Sequence, residues 1–222
     1  MNVEPGYGSV EAAIANVETA IAVAQAQRTR LPLALLAVTP HTGTAKVSIL
    51  LNELCSRGDC RYLEFGVFHG RSLIAAAWGN TGQFTGVDHQ NEKRGHGWPA
   101  THAMLPPDQS GTVRFVSANF KDVALDARYD VCFYDADHSA LGTARGVCLM
   151  AQRLRPGILI VDDVEHPKIG PHASKGAELG LAQSGCRIAQ TWLVPKLEGF
   201  HMGLLIYVVN AGPGVEGVTG DG

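Results

Sequence analysis

Two segments of this chain concentrate groups that can do chemistry: Val131-Cys-Phe-Tyr-Asp135-Ala-Asp137-His138 and Ile158-Leu-Ile-Val-Asp162-Asp163. Each opens with an apolar run suited to a buried strand and closes on acids. If the two strands are parallel neighbours, they deliver four carboxylates, Asp135, Asp137, Asp162 and Asp163, to one edge of a sheet. Like charges at short range raise each other's pKa, so such a set is unfavourable unless something positive joins it. A hard divalent cation with oxygen ligands and several waters, Mg²⁺ or a similar ion, is the natural counter-ion. A single acid at a strand end is ordinarily a solvated loop residue; the grouping is what points to a metal. His138 stands beside these acids. With an unperturbed pKa near ~6.5, an imidazole there can take up a proton around neutral pH. The bland alternative for His138 is a buried ring donating to a carbonyl.

A second constellation lies upstream. Arg61-Tyr-Leu-Glu64-Phe-Gly66-Val-Phe68-His-Gly70-Arg-Ser72 runs from a short apolar strand through a glycine turn into a helix. Gly66 and Gly70 remove Cβ atoms where the backbone must bend and a ligand can come close. In an open α/β sheet, ligands bind at that end of the strands, near the point where strand order reverses. Asp88 closes the next strand, Phe84-Thr-Gly-Val-Asp88, where an acid can accept hydrogen bonds from both hydroxyls of a ribose. The glycine spacing is Glu-x-Gly-x-x-x-Gly rather than Gly-x-Gly-x-x-Gly, which disfavours a nicotinamide dinucleotide. A purely structural βα turn is the competing reading.

The elements that must position these residues follow from periodicity. Strands are predicted near Tyr62–Phe65, Gln83–Val87, Val113–Ser117, Asp130–Tyr134, Ile158–Val161, Arg187–Leu193 and Leu204–Val209. After the fourth strand, Leu141, Ala144, Val147, Cys148, Ala151 and Leu154 keep a helical period that stops at Arg155-Pro156-Gly157. Alternating strands and helices imply a parallel sheet with crossovers on both faces. The last two strands are joined by Pro195 to His201, too short for a parallel crossover but suited to antiparallel pairing. Before the sheet, Ser9 caps a predicted helix with an apolar stripe of Val10, Ile14, Val17, Ile21 and Ala24. A second helix starts near Thr44, buries Val47, Leu50, Leu51 and Leu54, and ends at Gly58. Packing over the sheet's edge is the simplest role for this pair; a lid or a homodimer contact is the alternative. Residues 1–58 are thus expected as N-terminal helices on a core of 59–210, with a glycine-rich flexible tail of 211–222, one domain in all. The stretch His89–Gly111 is rich in proline and glycine and irregular, either a functional loop or a surface insertion.

The totals narrow the class. An apolar fraction of 45% and a charged fraction of 18% describe an ordinary globular chain. A formal charge of −3 gives no reason to expect nucleic acid or an anionic membrane as partner. The five cysteines are odd in number and include no C-x-x-C pair, and Cys132 and Cys148 lie in apolar runs, consistent with free thiols in a reducing cytoplasm. Met1 to Ser9 shows no basic region followed by an apolar core, so no signal peptide is expected. Leu31–Val38 is apolar but too short to span a bilayer.

The glycine turn resembles the first motif of class I S-adenosylmethionine-dependent methyltransferases. With Gly70-Arg71-Ser72, Asp135, His138 and Asp162-Asp163, the chain is similar to the metal-dependent small-molecule O-methyltransferases that act on catechols and antibiotic sugars. The sugar-modifying branch is the nearer of the two, because it uses histidine where the catechol branch uses lysine. The resemblance covers roughly Arg61 to Asp163 and implies a Rossmann-like three-layer αβα sandwich with a seven-stranded, mostly parallel sheet whose last strand is antiparallel. It implies S-adenosylmethionine held by Glu64, Gly66, Phe68, Gly70, Ser72, Asp88, Asn119 and Asp135. Within that set, Glu64 and the glycines take the methionine part, Ser72 its carboxylate, Asp88 the ribose and Asn119 the adenine edge; Asn119 could equally just cap a helix. It further implies Mg²⁺ on Asp135, Asp162 and Asp163, His138 as the base, and a small-molecule hydroxyl as acceptor. Asp137 is extra to the pattern and competes with Asp135 as ligand. Two rivals remain: a metal-independent methyltransferase, and a non-catalytic module that binds the cofactor or its product.

Overall fold

The structure, a computed structural model, describes residues 7–38, 43–89, 97–125 and 127–210. Seven strands form one sheet in the order β3-β2-β1-β4-β5-β7-β6: β1 (Cys60–Phe65), β2 (Gly82–Asp88), β3 (Val113–Ser117), β4 (Tyr129–Tyr134), β5 (Leu154–Val161), β6 (Arg187–Val194) and β7 (Leu204–Asn210). β1 to β5 pair in parallel, whereas β7 runs antiparallel to both β5 and β6. All seven predicted strands are present, and the final strand is the reversed one.

Side chains alternate across β1, so Tyr62 joins the core on one face while Leu63 and Phe65 join the core on the other. The first face is covered by α1 (Val10–Gln25), α3 (Ala45–Leu54) and α4 (Arg71–Ala77), with the one-turn α2 (Leu33–Leu36) beside them. The second is covered by α6 (Ala140–Ala151) and α7 (Gly170–Ser184). A short α5 (Gly97–His102) follows β2. The N-terminal helices therefore form a layer across the sheet's face instead of packing over its edge. The α1 stripe is also rotated: Ala13, Asn16, Val17, Ala20 and Ala24 are buried, while Val10, Ile14 and Ile21 pack only partly. Asn16 can be inside because its amide donates to the Tyr7 hydroxyl and the Leu54 carbonyl, at 2.8 and 2.9 Å.

Two further corrections concern the fourth crossover. Leu154 begins β5 rather than ending α6, and Leu141 is 82% exposed. Pro156 fits inside β5 because the register with β4 is irregular there, between the Tyr129–Leu154 and Val131–Ile158 pairs. Among the described residues no helix is long and apolar enough to cross a membrane. All five cysteines are free thiols, with Cys132 buried and Cys148 only half-buried. The predicted tail 211–222 and part of the irregular His89–Gly111 stretch lie outside the described residues.

One polar network ties the N-terminal layer to the helix that follows the glycine turn. The Asn52 amide donates to the carbonyls of Ala75 and Trp78, each at 2.7 Å, and its oxygen accepts from Arg30 Nε at 3.0 Å. Truncation leaves buried acceptors unpaired, so Asn52→Ala is expected to cost about 2–4 kcal/mol in a urea denaturation experiment. A loss below about 0.5 kcal/mol would show that this network does not anchor α4.

Candidate active site

Register, more than any single residue, builds the site. Phe65 pairs with Val87 on one side and Tyr134 on the other, and Tyr134 pairs with Val161. The next residue of each strand or turn, namely Asp88, Gly66, Asp135 and Asp162, therefore emerges at one carboxyl edge. Strand order reverses between β1 and β4, so this edge is a crevice of the kind in which α/β sheets bind ligands. Gly66 has φ of +89°, and a Cβ there would lie 1.8 Å from the Asp135 carbonyl oxygen, so only glycine fits. Phe68, in the same turn, is held at φ of +48°. The cleft above the turn is lined by Gly66, Phe68, Gly70, Ser72, Asp135 and Asp162, with Val47 and Ser48 of the N-terminal layer facing them.

Glu64 and Asp88 support that turn. Glu64 is fully buried and accepts from the Tyr62 hydroxyl and from Ser72 Oγ, both at 2.6 Å. Burial pushes its carboxyl up to about 8 against the downward pull of those two donors, with Asp88 and Asp162 adding to the rise. Asp88 Oδ2 accepts from the backbone N–H groups of Val67 and Phe68, at 2.9 and 2.7 Å. Asn119 caps a one-turn 3₁₀ helix by accepting from Lys121 N, the plainer of its two expected roles. Neither Glu64, Asp88 nor Asn119 lines the cleft.

Beside the cleft, one ligand atom each from Asp135, His138 and Asp163 lies within 4.8 Å of the other two. His138 Nε2 is 3.7 Å from Asp135 Oδ1 and 3.6 Å from Asp163 Oδ2. Asp162 is buried against them, and its Oδ1 accepts from Asp163 N at 2.7 Å. Burial and then Asp163 push the Asp162 carboxyl up to about 7, offset by that N–H and by Arg71. The surrounding protein, then Asp162 and Asp163, push Asp135 well above the usual carboxylate range. Asp135 keeps 32% of its side chain open, so water in the cleft moderates that push, unlike the one on enclosed Glu64. Asp137 is drawn away: Lys121 Nζ lies 2.9 Å from its Oδ2, and Ser139 N donates to its Oδ1 at 3.0 Å.

Sequence reasoning missed His201. Its Nε2 lies 3.7 Å from Asp163 Oδ1. β7 starts opposite the end of β5, with Leu205 paired to Val161, so the β6–β7 turn must project over Asp162 and Asp163. The flanking glycines of Gly199-Phe-His201-Met-Gly203 and the antiparallel return were the available signal. Burial lowers the His201 pKa, against the pull of Asp163.

Residues 63–164 match the family model described as a methyltransferase domain. Solved structures with the same architecture include a Streptomyces achromogenes O-methyltransferase involved in tomaymycin synthesis, in complex with S-adenosylmethionine. It is 18% identical, the alignment covers 88% of this chain and 90% of that one, and the TM-score is 0.57. A Podospora anserina methyltransferase bound to S-adenosylhomocysteine is 18% identical over 87% of this chain and 88% of that one, with a TM-score of 0.56. A Corynebacterium glutamicum protein is 16% identical, covering 90% and 100%, with a TM-score of 0.61. The chain has the class I methyltransferase fold. No curated protein matches it in sequence.

The two groups of residues offer different chemistry. The turn, whose glycines pack closely on Asp135 and Trp98, borders a cleft beside the exposed Phe68 ring, suited to an extended cofactor. The acid cluster fits a divalent cation: Asp163 Oδ1 is buried and has no hydrogen-bond partner among the described residues. Glu64 supplies a direct test of the buried charge below the turn. Its folded pKa lies above the ordinary carboxylate value, so its contribution to stability is complete below about 4.5 and lost as pH rises to about 8. Removing the titration with Glu64→Gln should therefore raise the ligand-free melting temperature relative to wild type by an increment that grows between pH 5 and pH 8. An increment that does not change with pH would contradict the assignment.

Proposed function

We propose that the chain is an S-adenosylmethionine-dependent O-methyltransferase that modifies a hydroxyl of a small vicinal diol, catechol or sugar, assisted by a divalent cation and by His138 as base. The observation that carries this reading is that Asp135 belongs both to the cleft over the glycine turn and to the acid–imidazole cluster, so methyl donor and acceptor would meet there. The resemblance of the Asp135, His138 and Asp162-Asp163 spacing to metal-dependent O-methyltransferases supports it, as does an O-methyltransferase among the structures of like fold.

The protein's own residues divide the work. Gly66, Phe68 and Gly70 shape the cradle, Ser72 takes the carboxylate of the amino-acid part, and Asp88 takes the ribose with the oxygen not bonded to the turn. Asp135, Asp162 and Asp163 would hold the cation; when bound, it supplies the Lewis acidity that makes a substrate hydroxyl easier to deprotonate. His138 Nε2 takes the hydroxyl proton and later returns it to solvent. The oxygen–methyl bond forms as the sulfur–methyl bond breaks, and a neutral thioether leaves. Alignment of the two partners is the protein's largest remaining task. A small acceptor in free solution, with no nucleic acid or membrane, matches the charge balance, and a homodimer through the N-terminal layer is compatible with it.

Transfer of a labelled methyl group to a panel of catechols, diols and sugars tests the reading. His138→Ala should lower turnover about 10²–10⁴-fold while S-adenosylhomocysteine affinity stays within about threefold. Turnover near wild type would remove His138 as the base. EDTA should abolish transfer and a divalent cation restore it; activity that persists in EDTA would mark a metal-independent enzyme. Tight product binding without transfer to any acceptor would mark a binding module instead.

A further inference from the structure

We infer that His201 supplies a nitrogen ligand to the cation at this edge, making a mixed carboxylate–imidazole centre that takes a borderline transition ion, of the Mn²⁺ or Zn²⁺ kind, in preference to Mg²⁺. The inference rests on the proposed metal dependence and adds a ligand from a turn that the expected motifs do not reach.

The two oxygens of Asp163 are not equivalent. Oδ2 faces His138 Nε2 at 3.6 Å, whereas Oδ1 faces His201 Nε2 at 3.7 Å. Only Oδ1 is both buried and without a hydrogen-bond partner among the described residues. A buried carboxylate oxygen left in that state is costly, so a positive group belongs beside it. The 3.7 Å gap to His201 is too long for a hydrogen bond. His138 Nε2 stands at like distances, 3.7 Å from Asp135 Oδ1 and 3.6 Å from Asp163 Oδ2, so it is the partnerless Oδ1, not spacing, that singles out His201. A cation at Oδ1 has His201 as its imidazole neighbour, whereas His138 stands on the side of the other oxygen.

The fold holds His201 in this place. Its φ is +47°, between Gly199 at +86° and Gly203 at +79°. A side chain rarely adopts that conformation without surrounding structure to impose it. Glu165 N donates to Met202 O at 2.7 Å and Val164 N to Gly203 O at 3.3 Å, tying the turn to the segment directly after Asp163. From the other side, Thr44 Oγ1 donates to Gly199 O at 2.7 Å, and Phe200 is buried beneath. Imidazole nitrogen is a borderline donor that suits manganese, zinc and their neighbours, whereas Mg²⁺ prefers oxygen ligands and retained waters.

Pulsed electron paramagnetic resonance of the Mn²⁺-loaded protein reads directly coordinated nitrogen. Wild type and His138→Ala should both show that coupling, and His201→Asn should lose it. Asparagine tolerates the left-handed conformation, and His201→Gly repeats the test without any side chain. Zn²⁺ affinity should fall at least about tenfold in both His201 variants, while Mg²⁺ affinity changes less than about threefold. Bound Mn²⁺ without nitrogen coupling in wild type would overturn the inference. So would coupling that disappears in His138→Ala and survives in His201→Asn. Either result leaves metal-dependent transfer standing, whereas a protein that binds no Mn²⁺ at all would overturn both.

Discussion

Crowding of negative charge at the carboxyl ends of parallel strands is the constraint on which the rest of this structure depends. The fold quiets most of these acids with donors of its own. Glu64 is enclosed and held by Tyr62 and Ser72, Asp88 is engaged by two N–H groups of the glycine turn, and Asp137 is taken by Lys121 and Ser139. Asp162 accepts the N–H of its neighbour. Asp135 and Asp163 are left facing imidazoles across gaps of 3.6 to 3.7 Å, and one oxygen of Asp163 has no hydrogen-bond partner among the described residues. What remains is a group of closely spaced carboxyls at the switch point of the sheet, where a cation and a sulfonium cofactor would both be favoured.

Backbone conformation follows the same logic. Phe68, Asp163 and His201 are all non-glycine residues at positive φ, and each lies at this edge. Local preference yields there because the surrounding hydrogen bonds over-determine the chain. Behind the edge the design is conventional: two apolar layers on the faces of the sheet, with the N-terminal helices sharing a core with β1, β4, β5 and β7. Those helices also contribute Val47 and Ser48 to the cleft, so packing and site are built by the same elements.

Much of this was legible in the sequence because burial writes itself as apolar runs. The strands Val131–Tyr134 and Ile158–Val161 are continuous apolar segments, and the acids that end them mark the edge at once. Periodicity was less informative about which side of a helix meets a neighbour, since alanines serve as core residues wherever helices approach closely. Hence Ala13 and Ala20 are inside while Leu141 is out. No local pattern reveals that Lys121 Nζ lies 2.9 Å from Asp137 Oδ2, while Asp135 groups with His138 and Asp163. His201 was hidden for a topological reason: its place over Asp163 depends on β7 inserting between β5 and β6, and no local pattern encodes that order.

Calorimetry of the cofactor-free protein against increasing Mn²⁺ bears most directly on the claim that the acid edge requires a cation. Binding to the folded state alone adds about 2.7 kcal/mol at a hundred times the dissociation constant. The melting temperature should therefore climb steadily with the logarithm of Mn²⁺ in wild type and stay flat in Asp163→Asn. A wild-type melting temperature that does not move up to millimolar Mn²⁺, or one that rises equally in Asp163→Asn, would contradict it.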